Sequence, residues 1–243
     1  MDYRYWVSQM EPLGRTHRVI AVSLRHFYPE VWGGKGTDFS AEQHAKDLAA
    51  FIRRLGAGPA HLVGHSYGGG VAFLVAKHNP ELLLSLTLAD PAPLEGITPP
   101  TAETVAEISA RREIVKAAVE HLESGDIDGG LERFVEGAVG TGIWRQVPEQ
   151  MRARLRENAW TVKSLLDSVQ TVDACADAAS IRAPVLLITG EKSPRAYGAI
   201  LQGLASCFKH HRLATIPNAS HTMNRTNPNA FNGVLAEFLA NPQ

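Results

Sequence analysis

The chain has 243 residues, a formal net charge of −1 and 44% hydrophobic residues, enough to bury one sizeable core. Charges of both signs are scattered along it, so we expect neither a basic surface for nucleic acid nor an acidic tail. No window approaches the apolar run that a membrane span requires, and the first residues show no signal-peptide pattern. We therefore expect a cytoplasmic protein with one domain and an insertion. Its predicted partner is a small molecule, with no nucleic acid and no membrane; a homodimer remains open.

The two cysteines, Cys175 and Cys207, fit no metal-binding or redox spacing and could form at most one disulfide. Two free thiols are the favoured interpretation. No metal site and no cofactor are predicted.

The order of the predicted elements points to an α/β fold. The chain opens in a helical pattern with Trp6, Met10 and Leu13 on one face. Short apolar runs then alternate with helices, which is typical of a mostly parallel sheet covered by helices on both faces. The runs predicted as strands are 18–24, 60–63, 82–88, 185–189 and 211–216. Helices are predicted from the capping box at Ser40, from Ser66 to Asn79, and from Asn227 onward.

The alternation stops between about residues 93 and 171, where only helical periodicity occurs. The sequence here predicts a punctuated linker at 98–101, a long helix ending before Gly125, a short helix over 128–136 and a third pattern over 148–172. We therefore expect a core formed by 1–93 and 171–243 and a helical lid formed by 94–170. Trp144 and Trp160 lie in the lid, where packing is a more common role than ligand binding.

The segment Gly64-His65-Ser66-Tyr67-Gly68 lies between a predicted strand and a predicted helix. A serine at such a sharp turn has a strained backbone that exposes its hydroxyl, and the flanking glycines leave room for the turn. A side chain at either Gly64 or Gly68 is expected to clash. Ser66 is therefore the candidate nucleophile.

A candidate general base follows the last predicted strand. Of ten histidines, only His221 lies in a loop at the carboxyl end of a strand. His65 is expected to pack or hydrogen-bond locally, and His210 and His211 lack the spacing of a metal-binding pair.

These motifs resemble the lidded α/β-hydrolase superfamily over essentially the whole chain. The match rests on the segments 64–68, 184–191 and 219–221. The resemblance implies that Ser66 attacks a carbonyl, that His221 takes and returns the proton, and that an acid stabilises the imidazolium. It also implies that the backbone N–H of Tyr67 stabilises the oxyanion.

The acid departs from the pattern that the resemblance implies. Most members carry an aspartate three residues beyond the glycine that ends the seventh strand, and here that position is Ser193. Asp90 is the expected substitute, since it follows a predicted strand and keeps the chain order of serine, acid and histidine. Glu191 is the reserve, and Asp90 could alternatively cap a turn.

The amino terminus departs further. The N-terminal strands of the family, and the His-Gly loop that supplies a second oxyanion donor, are not visible in the sequence. Two unpaired strand edges should then face each other, or the fourth strand should move sideways. Our hypothesis is that the sequence starts at an internal methionine and that the native protein is longer.

The sequence predicts a serine hydrolase that cleaves an ester-like, lactone, amide or ketone-activated carbon–carbon bond of a small apolar substrate. Two alternatives remain: a ligand-binding or signalling protein with little or no turnover, and an inactive truncated form. The loop at 32–37 does not match a phosphate-binding loop, because Gly36 separates Lys35 from Thr37.

Overall fold

The computed structural model describes residues 2–36, 38–91, 102–165 and 174–242. Its sheet has four parallel strands in the order β1 (Ala60–His65), β2 (Leu83–Ala89), β3 (Val185–Gly190) and β4 (His211–Ile216). All four were predicted from apolar runs, with bounds that agree within two residues. The parallel order brings the carboxyl ends of the strands to one edge of the sheet, where the loops that carry Ser66, Asp90 and His221 begin.

Helices precede, connect and follow these strands. They are α1 (Val7–Gly14), α2 (Ala41–Leu55), α3 (Tyr67–His78), α4 (Ala102–Glu123), α5 (Ile127–Val139), α6 (Glu149–Glu157), α7 (Ala174–Ser180), α8 (Arg195–Cys207), α9 (Met223–Thr226) and α10 (Pro228–Ala240). Short 3-10 helices cover Tyr3–Trp6, Pro80–Leu82, Trp144–Gln146 and Ala159–Leu165.

Helices cover both faces of the sheet, and the predicted α/β fold class is confirmed. Side chains of β3 alternate between the two faces: Leu187 joins the core that contains α2, α3 and α8. Leu186 and Ile188 join the core that contains α1 and α10. This alternation follows from the two-residue period of a strand.

The helical insertion has a core of its own. Leu131, Trp144 and Val162 belong to an apolar cluster separate from those on the sheet. Trp144 is buried, and Trp160 packs on the same cluster and against Gly34. Neither tryptophan is among the described residues that line the cavity beside Ser66. The expected bounds of the lid at 94 and 170, and the linker at 98–101, fall outside the described residues.

The prediction of a strand over residues 18–24 is wrong. These residues are not assigned to a strand, and no backbone hydrogen bond joins them to β1, although both segments are fully described. A strand requires a neighbour to satisfy its N–H and C=O groups, and this segment has none among the described residues. Among the described strands β1 pairs with β2 alone, and residues 18–22 and Leu24 line the same cavity as β1. The unpaired edge of β1 therefore lies at this cavity. Neither arrangement expected above is formed by the described residues, because 18–24 is not a strand that could face β1 or move sideways to pair with it.

The interpretation of the cysteines as free thiols is also wrong. Cys175 on α7 and Cys207 on α8 form a disulfide, with Cα atoms 5.0 Å apart. The packing of α7 against α8 brings these Cα atoms within bonding range, which a separation of 32 residues does not reveal. Disulfides persist chiefly in oxidising compartments, so this bond is not typical of a cytoplasmic protein. The cytoplasmic location stays a prediction.

Candidate active site

Ser66 lies at the sharp turn between β1 and α3. Its φ of 51° falls in the left-handed region, which side-chain-bearing residues adopt at a cost of about 1–3 kcal/mol. The turn is held by the Ser66 N–H, which donates to the Ala89 carbonyl at 3.0 Å, and by the Ser66 carbonyl, which accepts from the Gly69 N–H at 2.8 Å. The predicted turn from strand to helix is therefore present, and it presents Ser66 to the cavity.

The two flanking glycines are not equivalent. A Cβ at Gly64 would lie 2.4 Å from the Gly68 carbonyl oxygen and 2.8 Å from the Ala72 Cβ. A Cβ at Gly68 would meet nothing within 4 Å. The expected clash therefore exists at Gly64 only, and the expectation for Gly68 is wrong because its Cβ position faces open space.

His221 and Asp90 are in contact. The His221 Nδ1 lies 3.2 Å from the Asp90 Oδ2, and both side chains are buried. Asp90 also accepts hydrogen bonds from the hydroxyls of Thr189 at 2.7 Å and Ser193 at 2.6 Å. These donors hold the carboxylate in one orientation toward the imidazole.

The two other positions considered for the acid have different environments. Ser193 occupies the position that the resemblance assigns to the acid, and its hydroxyl donates to Asp90. Glu191 is exposed, and its carboxylate accepts from the Asn218 N–H at 2.6 Å. The structure therefore brings Asp90, and not Glu191, to His221.

The start of α3 offers backbone donors beside Ser66. Tyr67 is the first residue of the helix, so its N–H has no intrahelical acceptor. No backbone acceptor for it occurs among the described residues. Its side chain points elsewhere, since its hydroxyl lies 2.7 Å from the Nδ1 of the buried His44. The Tyr67 N–H is therefore free to meet a developing negative charge.

Tyr197 is a site residue that the sequence did not reveal. Its ring stacks on the imidazole of His221, with centroids 4.1 Å apart and planes 15° apart. Its hydroxyl interacts with the Ser66 hydroxyl and accepts from the Arg111 guanidinium. Within the described residues no hydrogen bond joins Ser66 to His221. Catalytic hydrogen bonds commonly tighten only when substrate is bound.

Burial controls the protonation of the site. It lowers the pKa of His221 to about 3, and the positive charge of Arg111 adds to this effect. Burial also lowers the pKa of His65 to about 3. His65 packs on the Tyr5 ring, but its hydrogen bond is not the local one expected: its Nε2 lies 2.6 Å from the carbonyl oxygen of His221, on a different loop. Burial raises the pKa of Asp90. His221 is thus a neutral imidazole near pH 7, the form that can accept a proton.

These histidines should make stability depend on pH. Their folded pKa values lie below the ordinary 6.5, so below pH 6.5 the unfolded chain binds protons that the folded chain does not. The free energy of unfolding should therefore fall between pH 6.5 and 4, by up to about 1.4 kcal/mol per pH unit for each histidine. We expect the His65→Gln variant to have a smaller slope of the free energy of unfolding against pH, because one histidine fewer takes up a proton on unfolding. Urea unfolding across this pH range measures the slope.

His210 is exposed and provides the control. The His210→Gln variant should keep the wild-type slope. Asp90 acts in the opposite direction but is common to all three proteins, so its effect cancels in the comparison. Equal slopes for all three would contradict the assignment of His65 as a neutral group in the folded protein.

Ser66, Tyr67 and His221 border a cavity of about 1000 Å³. Its wall is largely apolar, and the insertion supplies part of it, with residues that include Leu131, Phe134, Val139, Ile143 and Met151. An apolar cavity with a few polar groups is typical of a small-molecule site. Among the described residues, no group of three or more His, Cys, Asp or Glu side chains is placed to hold a metal ion, and no helix could cross a membrane.

Comparison with known proteins gives one family. A sequence profile described as the Alpha/beta hydrolase family matches residues 1–234. The sn-1-specific diacylglycerol lipase of Mus musculus is 27% identical over 213 residues, which cover 84% of this chain and 66% of the lipase. The 2-(acetamidomethylene)succinate hydrolase of Mesorhizobium japonicum is 25% identical over 220 residues, covering 84% of this chain and 72% of that enzyme.

A thermophilic esterase from Thermogutta terrifontis has a similar structure, with a TM-score of 0.77. The match covers 99% of this chain and 86% of the esterase at 22% identity. At this level of sequence identity, the structural similarity shows a shared fold and nothing about the substrate.

Proposed function

This chain belongs to the alpha/beta hydrolase family and is a hydrolase, and from that premise we propose that it cleaves its substrate through an acyl-enzyme on Ser66. The substrate is a small, largely apolar molecule with an ester-like, lactone, amide or ketone-activated carbon–carbon bond. The observation that carries the proposal is the placement of a strained, cavity-facing Ser66 beside the buried pair of His221 and Asp90. The names of two relatives, a diacylglycerol lipase and a 2-(acetamidomethylene)succinate hydrolase, are in keeping with it.

Each residue has one task in the proposed reaction. The Ser66 hydroxyl attacks the carbonyl carbon while the neutral imidazole of His221 takes its proton. Asp90 stabilises the imidazolium that forms, and the Tyr67 N–H donates to the oxyanion. His221 then gives the proton to the leaving group, and water attacks the acyl-enzyme by the same route.

A second candidate is a ligand-binding protein with little turnover. The contact of the Ser66 hydroxyl with Tyr197, and the lack of a hydrogen bond from Ser66 to His221 within the described residues, favour it. The two candidates differ in whether the serine can be activated.

Labelling with a fluorophosphonate probe tests this point. We expect the probe to modify the peptide that contains Ser66, found by mass spectrometry, because the probe reacts with activated hydroxyls. The Ser66→Ala variant should not be labelled, and Ser220→Ala should be labelled like wild type. Well-folded protein that resists the probe would leave the binding protein as the better candidate.

A further inference from the structure

The cavity beside Ser66 is cationic. Its described lining contains no aspartate or glutamate, and its charged residues are all arginines: Arg18, Arg111, Arg112 and Arg225. Arg18 and Arg112 are exposed, whereas Arg111 and Arg225 are partly buried in a largely apolar wall, where water screens their charges less. A cavity lined by one sign of charge concentrates ligands of the other sign.

Arg111 contacts a residue of the candidate active site. Its guanidinium donates to the Tyr197 hydroxyl and lies 4.8 Å from the centre of that ring. Tyr197 in turn stacks on His221 and interacts with Ser66. In the described part of the chain, Arg111 forms no ion pair with any carboxylate, and its other N–H groups have no acceptor there. A guanidinium presents paired N–H donors that match a carboxylate.

A second observation comes from Tyr5 on the same cavity. Tyr5 is only 7% exposed, and its hydroxyl is buried without a hydrogen-bond partner among the described residues. The Arg225 guanidinium lies 5.8 Å from the Tyr5 ring. A buried polar group without a partner is costly, and an acceptor on a ligand would remove that cost.

The positive charge of Arg111 also has a chemical consequence for the base. It disfavours protonation of His221, and proton uptake by His221 is required when Ser66 attacks. An anion bound at Arg111 would offset that charge. A ligand anion would therefore assist the reaction besides being held in place.

We propose that Arg111 binds a carboxylate carried by the substrate, so that the preferred ligand is an apolar body ending in a carboxylate. Arg225 and the Tyr5 hydroxyl contribute a second positive charge and a donor on the same cavity. The inference that this ligand is a substrate rests on the proposed function, whereas the binding of the carboxylate does not.

Titration calorimetry with two matched compounds tests the binding. The probes are 4-phenylbutyrate and its neutral amide, 4-phenylbutyramide. Wild-type protein should bind the carboxylate about 10- to 100-fold more tightly, because charge-assisted hydrogen bonds are stronger than neutral ones. The Arg111→Gln variant should lose most of this preference, and the remainder comes from the second positive charge at Arg225. Arg133 is exposed on α5 and does not line the cavity, so Arg133→Gln should keep the wild-type preference.

Fluorophosphonate labelling locates the bound anion. The carboxylate should slow labelling of Ser66 in wild type but not in Arg111→Gln. Failure of Ser66 to label would remove the proposed function, while the calorimetric preference would still decide the carboxylate site. Equal affinity for both compounds in wild type, no binding of either, or an undiminished preference in Arg111→Gln would overturn the proposal.

Discussion

Replacing Asp90 by asparagine should lower kcat by about four orders of magnitude, as loss of the buried acid does in serine hydrolases with this arrangement of side chains. The Asp90 carboxylate lies 3.2 Å from the His221 Nδ1, where it selects the tautomer whose Nε2 can accept the serine proton. An amide of the same shape would offer its N–H₂ group to Nδ1 and favour the wrong tautomer. Turnover of a chromogenic ester, with thermal unfolding to confirm the fold, measures the effect.

Glu191→Gln provides the matched control, because that carboxylate contacts Asn218 and is exposed. It should leave turnover unchanged. A second variant tests the geometry directly: Ser193 Oγ lies 2.6 Å from the Asp90 oxygen that faces His221, so Ser193→Asp added to Asp90→Asn should recover part of the lost activity. Similar losses in Asp90→Asn and Glu191→Gln would contradict the assignment of Asp90 as the acid.

The sequence predicted those parts of the candidate site that depend on local chain order. Ser66 follows a strand and precedes a helix, and His221 follows the last strand, so short patterns were enough to place them. The choice between Asp90 and Glu191 depended on strand register: Ala89 pairs with Ile188, which sets Asp90 beside Thr189. A single sequence does not contain that register.

Tyr197 and Arg111 were missed for a related reason. They are 86 residues apart, on α8 and on the helical insertion, and neither lies in a recognisable motif. Their contact arises only when the insertion folds over the sheet. Residues that shape a cavity from distant elements leave no local signal in one sequence.

Most of the fold followed from hydrophobic periodicity, but one strand did not. Residues 18–24 have the apolar, β-branched composition of a buried strand. This composition favours a strand only where an adjacent strand is available to pair with it. Whether a neighbour exists is a property of the whole sheet. The predicted strand failed because no adjacent strand pairs with it among the described residues.

Substitution of a glycine in the turn around Ser66 should also have a large effect, on the stability of the protein. Gly64→Ala should destabilise the protein by about 3 kcal/mol or more, at or above the upper end of ordinary overpacking. Its Cβ would lie 2.4 Å from the Gly68 carbonyl oxygen, which is backbone and cannot rotate away as a side chain could. Relief requires a shift of the turn that positions Ser66, so labelling of Ser66 should be lost together with stability. Urea unfolding and probe labelling measure the two effects.

The sequence pattern and the structure predict different effects for the Gly68→Ala substitution. The pattern alone treats both glycines as necessary, whereas the structure leaves open space for a Cβ at Gly68. Alanine is favoured over glycine within a helix by about 1 kcal/mol, and Gly68 lies in the first turn of α3, so this variant should be as stable as wild type or slightly more stable. Stability is the measurement to compare, because Gly68 lines the cavity and a methyl group there can alter substrate binding. Equal destabilisation by the two substitutions would contradict this account, because the close approach at Gly64 would then not be what sets the requirement for glycine.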